Sequence, residues 1–183
     1  MRPLSEDETR VFFTKLSQFL GDNIRFLIDR EDQPFVFRLH EERVYYLPDA
    51  HWKLLQNFSR DELVSAGTLF GKFTKSGKFH LHVTCLDYLC KFARYKVWVK
   101  PGGEQIYLYG HNVLKAHLAR MTENTPQYQG VVVLNLADVP LGFGVTARAT
   151  EGCLRLQPQD IVVFHQADLG EYLRNENPSS AYD

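Results

Sequence analysis

The sequence predicts an α+β fold in two parts, an N-terminal antiparallel sheet with flanking helices followed by a small β-barrel. Three observations carry this prediction. The 183 residues suit two domains of about 90 each. The first half mixes apolar residues at helical spacing with short runs rich in β-branched and aromatic residues. The second half becomes a succession of short strand-like runs broken by Gly, Pro and Asp, the pattern of a small barrel. Hydrophobic residues at 44% and charged residues at 23% exclude a disordered or fibrous chain.

The elements follow in order. Ser5-Glu6-Asp7-Glu8 is a capping box, after which Val11, Phe12, Leu16, Phe19 and Leu20 recur at helical spacing until Gly21 supplies a left-handed stop. Residues 24–28, 35–40 and 43–47 read as a three-stranded meander, and Asp49 caps a short helix carrying Trp52, Leu55 and Phe58. Residues 68–74 and 79–83 flank Lys75-Ser76-Gly77-Lys78, which predicts a hairpin with a lysine-rich tip. Thr84 and Asp87 repeat the cap pattern for a helix through Leu86, Leu89, Cys90 and Ala93, closing a first domain over residues 1–93. A second domain over 94–173 opens with a strand at 96–100, a turn at Pro101-Gly102-Gly103, a partner strand at 105–109 and a helix after Gly110 with Val113, Leu114 and Leu118. Residues 131–136, 142–148 and 161–165 are β-like, and 174–183 read as a flexible tail.

Charge is uneven. Residues 1–71 hold 9 basic and 12 acidic side chains, residues 72–120 hold 9 and 2, and residues 121–183 hold 3 and 8. A strongly positive middle between two acidic ends is the pattern of a polyanion-binding face. Lys72, Lys75, Lys78, Lys96, Lys100, Lys115 and Arg120 are therefore the RNA-contact candidates, with Trp98, Tyr107 and Tyr109 as stacking candidates beside them. The acidic ends offer docking faces for basic partner proteins.

Other chemistries find little support. The segment 71–78 resembles a phosphate loop, but Lys72 stands where a Walker A needs glycine and Phe79 where it needs a hydroxyl. His80-x-His82 puts two imidazoles on one strand face without a Cys or carboxylate to complete a metal set, so an edge-strand or RNA-facing pair is expected and no metal site. Three cysteines, Cys85, Cys90 and Cys153, form neither a disulfide framework nor a thiolate cage and are expected as buried thiols. Asp138 and Asp168 sit in turns with no nucleophile motif near them, and Gly142-Phe143-Gly144 lies within a strand, where its glycines permit a bend or close backbone approach. No catalytic residue and no cofactor are assigned. No stretch approaches the roughly 18 apolar residues of a membrane helix and the first residues lack an apolar signal core, so no membrane contact and an intracellular location are expected.

Specific words then accumulate: Phe37-Arg38-Leu39, Arg43-Val44-Tyr45-Tyr46, Gly71-Lys72-Phe73-Thr74-Lys75, Tyr95-Lys96-Val97-Trp98-Val99-Lys100, Leu108-Tyr109-Gly110, Leu141-Gly142-Phe143-Gly144-Val145 and Gln166-Ala167-Asp168-Leu169-Gly170-Glu171-Tyr172. With these the chain resembles, end to end, the Nip-seven family of 60S ribosomal subunit biogenesis factors. The resemblance implies an α/β domain followed by a PUA domain, with RNA contact beside a helix that would fall at residues 110–119. It implies a non-enzymatic, RNA-binding factor for large-subunit precursor rRNA processing, monomeric when free. Its partners would be that precursor rRNA and other assembly factors of the pre-60S particle, and its location the nucleus and nucleolus. His111-Asn112 inverts the family's usual order, and only Arg148 and Arg155 remain of the basic residues that archaeal relatives concentrate in the late strands. The alternatives are an RNA-modifying enzyme subunit or a protein-docking adaptor within pre-ribosomes.

Overall fold

The structure is a computed structural model that describes residues 1–59 and 61–174. The chain divides into two compact units, Met1–Phe92 and a second beginning at Ala93. The tail expected over 174–183 lies, apart from Arg174, outside the described residues.

In the first unit, helix α1 (Glu6–Leu20) starts where the capping box requires. The Ser5 hydroxyl accepts from the Glu8 amide at 3.3 Å, and the Glu8 carboxylate accepts from the Ser5 amide at 2.8 Å. The helix ends at Gly21, whose φ of 52° lies in the left-handed region. The strand expected at 24–28 is instead a 3₁₀ turn (Gly21–Ile24) running into α2 (Arg25–Ile28). Tertiary contacts override the β-branched composition there: the buried Tyr46 hydroxyl donates to the Leu27 carbonyl at 2.6 Å, and Asn23 donates to the Phe92 carbonyl at 2.9 Å.

Strands β1 (Phe35–His40) and β2 (Arg43–Pro48) form a hairpin through Glu41 and Glu42, both left-handed at φ 48° and 66°. After α3 (Asp49–Leu55), β3 (Thr68–Phe73) and β4 (Phe79–Leu81) complete a four-stranded antiparallel sheet in the order β1-β2-β3-β4. Phe12 of α1 fills its inner face, 4.8 Å from the Phe37 ring and 5.0 Å from the Phe79 ring. Helix α4 (Leu86–Phe92) follows a 3₁₀ turn capped by His82 rather than by the expected Thr84, whose hydroxyl is turned to the Leu69 carbonyl.

The second unit contains β5 (Lys96–Val99), α5 (Pro101–Leu108), β6 (Val113–Leu114), β7 (Leu118–Met121), β8 (Gly130–Leu134), β9 (Pro140–Thr146), α6 (Thr150–Cys153), β10 (Ile161–Asp168) and α7 (Glu171–Arg174). Its six-stranded, barrel-like sheet runs β6-β10-β9-β8-β5-β7, with only the β5–β8 pair parallel. The core is a cluster of Val97, Val99, Val131, Val133 and Val163 around Tyr107.

Two expectations fail here. Residues 105–109 are not a strand but the end of α5, and the helix expected after Gly110 is two short strands around a 3₁₀ turn (Lys115–His117). Pro101 occupies the first helical turn, where its fixed φ suits the helix, rather than a β-turn. Gly103 serves packing: a Cβ there would lie 2.6 Å from the His117 Cβ. Gly142 and Gly144 do provide the expected close approach, since a Cβ would meet the Ala167 and Phe164 carbonyl oxygens at 2.1 and 2.2 Å.

Two stability predictions follow from these contacts. Gly71→Ala would place its Cβ 2.0 Å from the His80 carbonyl oxygen. That overpacking costs about 3 kcal/mol, whereas Gly77→Ala, in open space at φ 77°, costs about 1 kcal/mol; urea unfolding of both variants checks the difference. Arg2 donates to both oxygens of Glu8 at 2.8 and 2.7 Å, and this bond lowers the Glu8 pKa from 4.5 to about 2. A depressed carboxylate stabilises the fold above its unfolded pKa and loses that contribution as pH falls through the folded value. Glu8→Gln keeps the capping acceptor but not the charge, so the Tm gap between variant and parent is full at pH 7 and closes as pH falls from 4.5 to about 2.

Candidate RNA interface

The seven cations chosen from the sequence fall on both units, and each unit arranges its own. In the first, antiparallel pairing places Lys72 opposite Arg43 on β2 and opposite His80 on β4. Residues directly across a ladder share a face, so Arg43, Lys72 and His80 form one row, with Lys72 and His80 exposed. Lys75 and Lys78 stand exposed at the hairpin tip, which is pinned by the Thr74 amide donating to the Lys78 carbonyl at 2.8 Å and the Lys78 amide donating to the Thr74 hydroxyl at 3.1 Å. Lys75 also borders a cleft of about 780 Å³ that carries Asp7, Glu8, Glu41 and Glu42.

In the second unit the alternation of β5 buries Val97 and Val99 and turns Lys96, Trp98 and Lys100 outward. Arg120 on β7 pairs with Trp98 and lies over its ring at 3.9 Å. Asp138 holds both, accepting from the Trp98 indole at 2.6 Å and lying 3.6 Å from the Arg120 guanidinium. Lys100 donates to the Ala116 carbonyl at 3.3 Å, which brings it against the 3₁₀ turn bearing Lys115. Lys115 is half-buried and sits with Arg148 around Cys153: burial raises the Cys153 thiol pKa, and the two cations pull it back. Among the described residues Lys72, Lys75, Lys78, Lys96, Lys100 and Lys115 make no ion pair, and Arg120 makes one.

Several expected contacts are corrected. Tyr107 is 1% exposed and unavailable for stacking. Its hydroxyl donates to the Phe143 and Ala167 carbonyls at 2.8 and 3.1 Å, and burial pushes its pKa well up. Tyr109, by contrast, is 64% exposed. His80 and His82 do not share a strand face, because β4 ends at Leu81 and His82 caps the following turn. The Asn112 side chain accepts from the His165 amide at 2.8 Å, which gives it a structural role. Cys85 and Cys153 are buried with raised thiol pKa values, unsuited to nucleophilic work, while Cys90 is only half-buried.

The sequence did not single out Arg43, because its place beside Lys72 depends on strand register, and it read Asp138 only as a turn residue, because its bond to Trp98 depends on the β8–β9 turn. Among the described residues one group has metal-like proximity, His165, Asp168 and Glu171. The Asp168 Oδ2 atom already receives Arg174 at 2.7 Å and lies 2.6 Å from His165 Nε2. The Arg174 charge therefore occupies the position a cation would take.

Comparison with known proteins agrees with this architecture. A family model described as "NIP7/UPF0113, pre-PUA domain" matches residues 1–83, and the "UPF0113 PUA domain" matches residues 95–177. The protein named "60S ribosome subunit biogenesis protein NIP7 homolog" in Xenopus laevis is 62% identical over 177 residues, covering 97% of this chain and 98% of its own. The mouse protein of the same name is 60% identical over 176 residues, covering 96% and 98%. Among solved structures, a PUA domain protein from Aeropyrum pernix K1 has a TM-score of 0.58 at 16% identity, covering 94% of this chain and 87% of its own. A hypothetical protein from Pyrococcus horikoshii OT3 has a TM-score of 0.57 at 15% identity, covering 98% and 97%. These two show the fold alone. The pre-PUA match, the PUA match and near-full-length identity of about three residues in five place this chain in the NIP7/UPF0113 family, and it belongs there.

Proposed function

We propose that this protein is a non-enzymatic assembly factor of the large ribosomal subunit that holds precursor rRNA mainly through backbone phosphates, within pre-60S particles of the nucleus and nucleolus. The observation that carries the RNA reading is a set of cations that make no ion pair among the described residues: exposed Lys72, Lys75 and Lys78 on one unit, exposed Lys100 and half-buried Lys96 on the other. Exposed cations without carboxylate partners release condensed counterions when they meet phosphate, which is the main source of affinity for RNA. Arg43 and His80 extend the first group, and Arg120 over Trp98 extends the second with a flat cationic surface on which a base can stack. Lys115, half-buried, contributes long-range charge more than contact. The PUA domain match over residues 95–177 and the names of the relatives support assignment to ribosome biogenesis.

Phosphate contact is measurable. Charge reversal of Lys75 with Lys78 removes two neutralised phosphates on a single strand, so the slope of log K against log salt should flatten by about 1.4. Reversal of Lys96 with Lys100 should flatten it by a similar amount, and the effects should add if both units grip RNA. Filter binding or anisotropy with a large-subunit precursor rRNA fragment checks this, and unchanged affinity and slope in both double variants would refute the assignment.

A further inference from the structure

The first sheet ends at an open edge. In a hairpin closed by two residues, His40 and Arg43 exchange hydrogen bonds, so Leu39, Phe37 and Phe35 turn their N–H and C=O groups away from β2. Pro48, which has no N–H, sits opposite Phe35, where none is needed. Arg2 already takes one place on this edge: its amide donates to the Leu39 carbonyl at 2.9 Å and its carbonyl accepts from the Leu39 amide at 2.8 Å. Among the described residues the ladder stops beyond Arg2. The Phe35 and Phe37 amides face a groove of about 380 Å³ lined by Leu4, Phe13, Leu27 and Ile28, with Ile28 50% exposed.

Arg38 stands at the same edge with an unanswered charge. Its guanidinium donates to the outward Phe37 carbonyl at 2.9 Å and lies 4.9 Å from the Trp52 ring. Its Nε is buried without a partner, and it makes no ion pair among the described residues. The carboxylate that acts on it, Asp49, is itself bound to Lys53 at 2.8 Å. A half-buried cation lacking a carboxylate is electrostatically complementary to an incoming acidic side chain.

We propose that this edge docks an extended segment of a protein partner, which adds as a strand beside β1. Its apolar residues enter the groove beside Phe35 and Phe37, and an acidic residue reaches Arg38. Strand addition supplies affinity through main-chain bonds and specificity through alternate side chains. The acidic residue draws the guanidinium from the Phe37 carbonyl, which then accepts a backbone N–H of the new strand. Of the basic row, Lys72 and His80 lie on β3 and β4, away from β1, while Arg43 lies on the adjoining β2, and the docking site itself uses none of the three.

The test is selection of a displayed library of ten-residue peptides on the full-length protein, then affinity and residue-resolved amide exchange with the enriched peptides. Enriched peptides should alternate apolar and acidic residues and slow exchange of the Phe35 and Phe37 amides at least tenfold. Affinity should fall at least tenfold with Ile28→Lys, whose site is half solvent-exposed, and Arg38→Glu should shift selection from acidic to basic residues. Failure to enrich, or binding that leaves those two amides unprotected, would overturn the proposal. A doubling of mass in sedimentation that Ile28→Lys abolishes would assign the edge to a second copy of the chain and overturn it equally.

Discussion

Pairing of His40 with Arg43 across Glu41 and Glu42 determines what the first unit can do. Side chains alternate faces along a strand, so this one pairing sends Phe37 and Tyr46 inward to meet at 4.6 Å and leaves Arg38 and Arg43 on the opposite face. A slip of one residue would exchange the two sets. The constraint carries a local penalty, because both turn residues are left-handed glutamates where Asn or Gly would sit without strain. Packing of Phe12, Phe70 and Phe79 behind the sheet makes the alternative registers far worse.

The second unit depends on a polar anchor inside an apolar core. Tyr107 carries α5 onto the barrel by donating to carbonyls on β9 and β10, and burial of its hydroxyl is tolerated because those bonds satisfy it. Gly142 makes room, since a Cβ there would come 2.9 Å from the Tyr107 ring. Next to the anchor, Arg174 ties α7 to Asp168 at 2.7 Å and to the Leu108 carbonyl, closing β10 against the end of α5. The outward face of β5 is therefore held at a fixed orientation, with Trp98 and Arg120 clamped by Asp138.

The sequence made some of this legible and hid the rest for physical reasons. The capping box, the Gly21 stop and the lysine hairpin are local, so residues three or four apart specify them. Residues 24–28 and 105–109 misled because β-branched and aromatic composition reports burial as readily as strand, and distant partners favoured the helix in both, the Tyr46 hydroxyl donating to the Leu27 carbonyl in the first and the Phe143 carbonyl accepting from Tyr107 in the second. Cations could be nominated from charge density, but their neighbours could not. Arg43, Lys72 and His80 are separated by 29 and 8 positions along the chain and become one row only through register. Trp98 and Asp138 meet across 40 positions at 2.6 Å, a contact that no local pattern encodes.

The same register separates two kinds of recognition on one sheet. Strands β3 and β4 and their hairpin carry exposed cations, a surface suited to phosphate and indifferent to sequence. Strand β1 offers a different surface: outward amides at Phe35 and Phe37 with no ladder partner among the described residues, apolar walls and one guanidinium, which reward an extended chain of defined pattern. Natural sheets usually guard such an edge with charge or cover, and here the guard is partial. Arg2 covers Leu39 and Arg38 shields one carbonyl, while among the described residues none pairs with the Phe35 and Phe37 amides. A polyanion repels an acidic strand, and the cations of β3, β4 and their hairpin are separated from the β1 edge by the whole of β2, which limits the electrostatic cost of one ligand to the other.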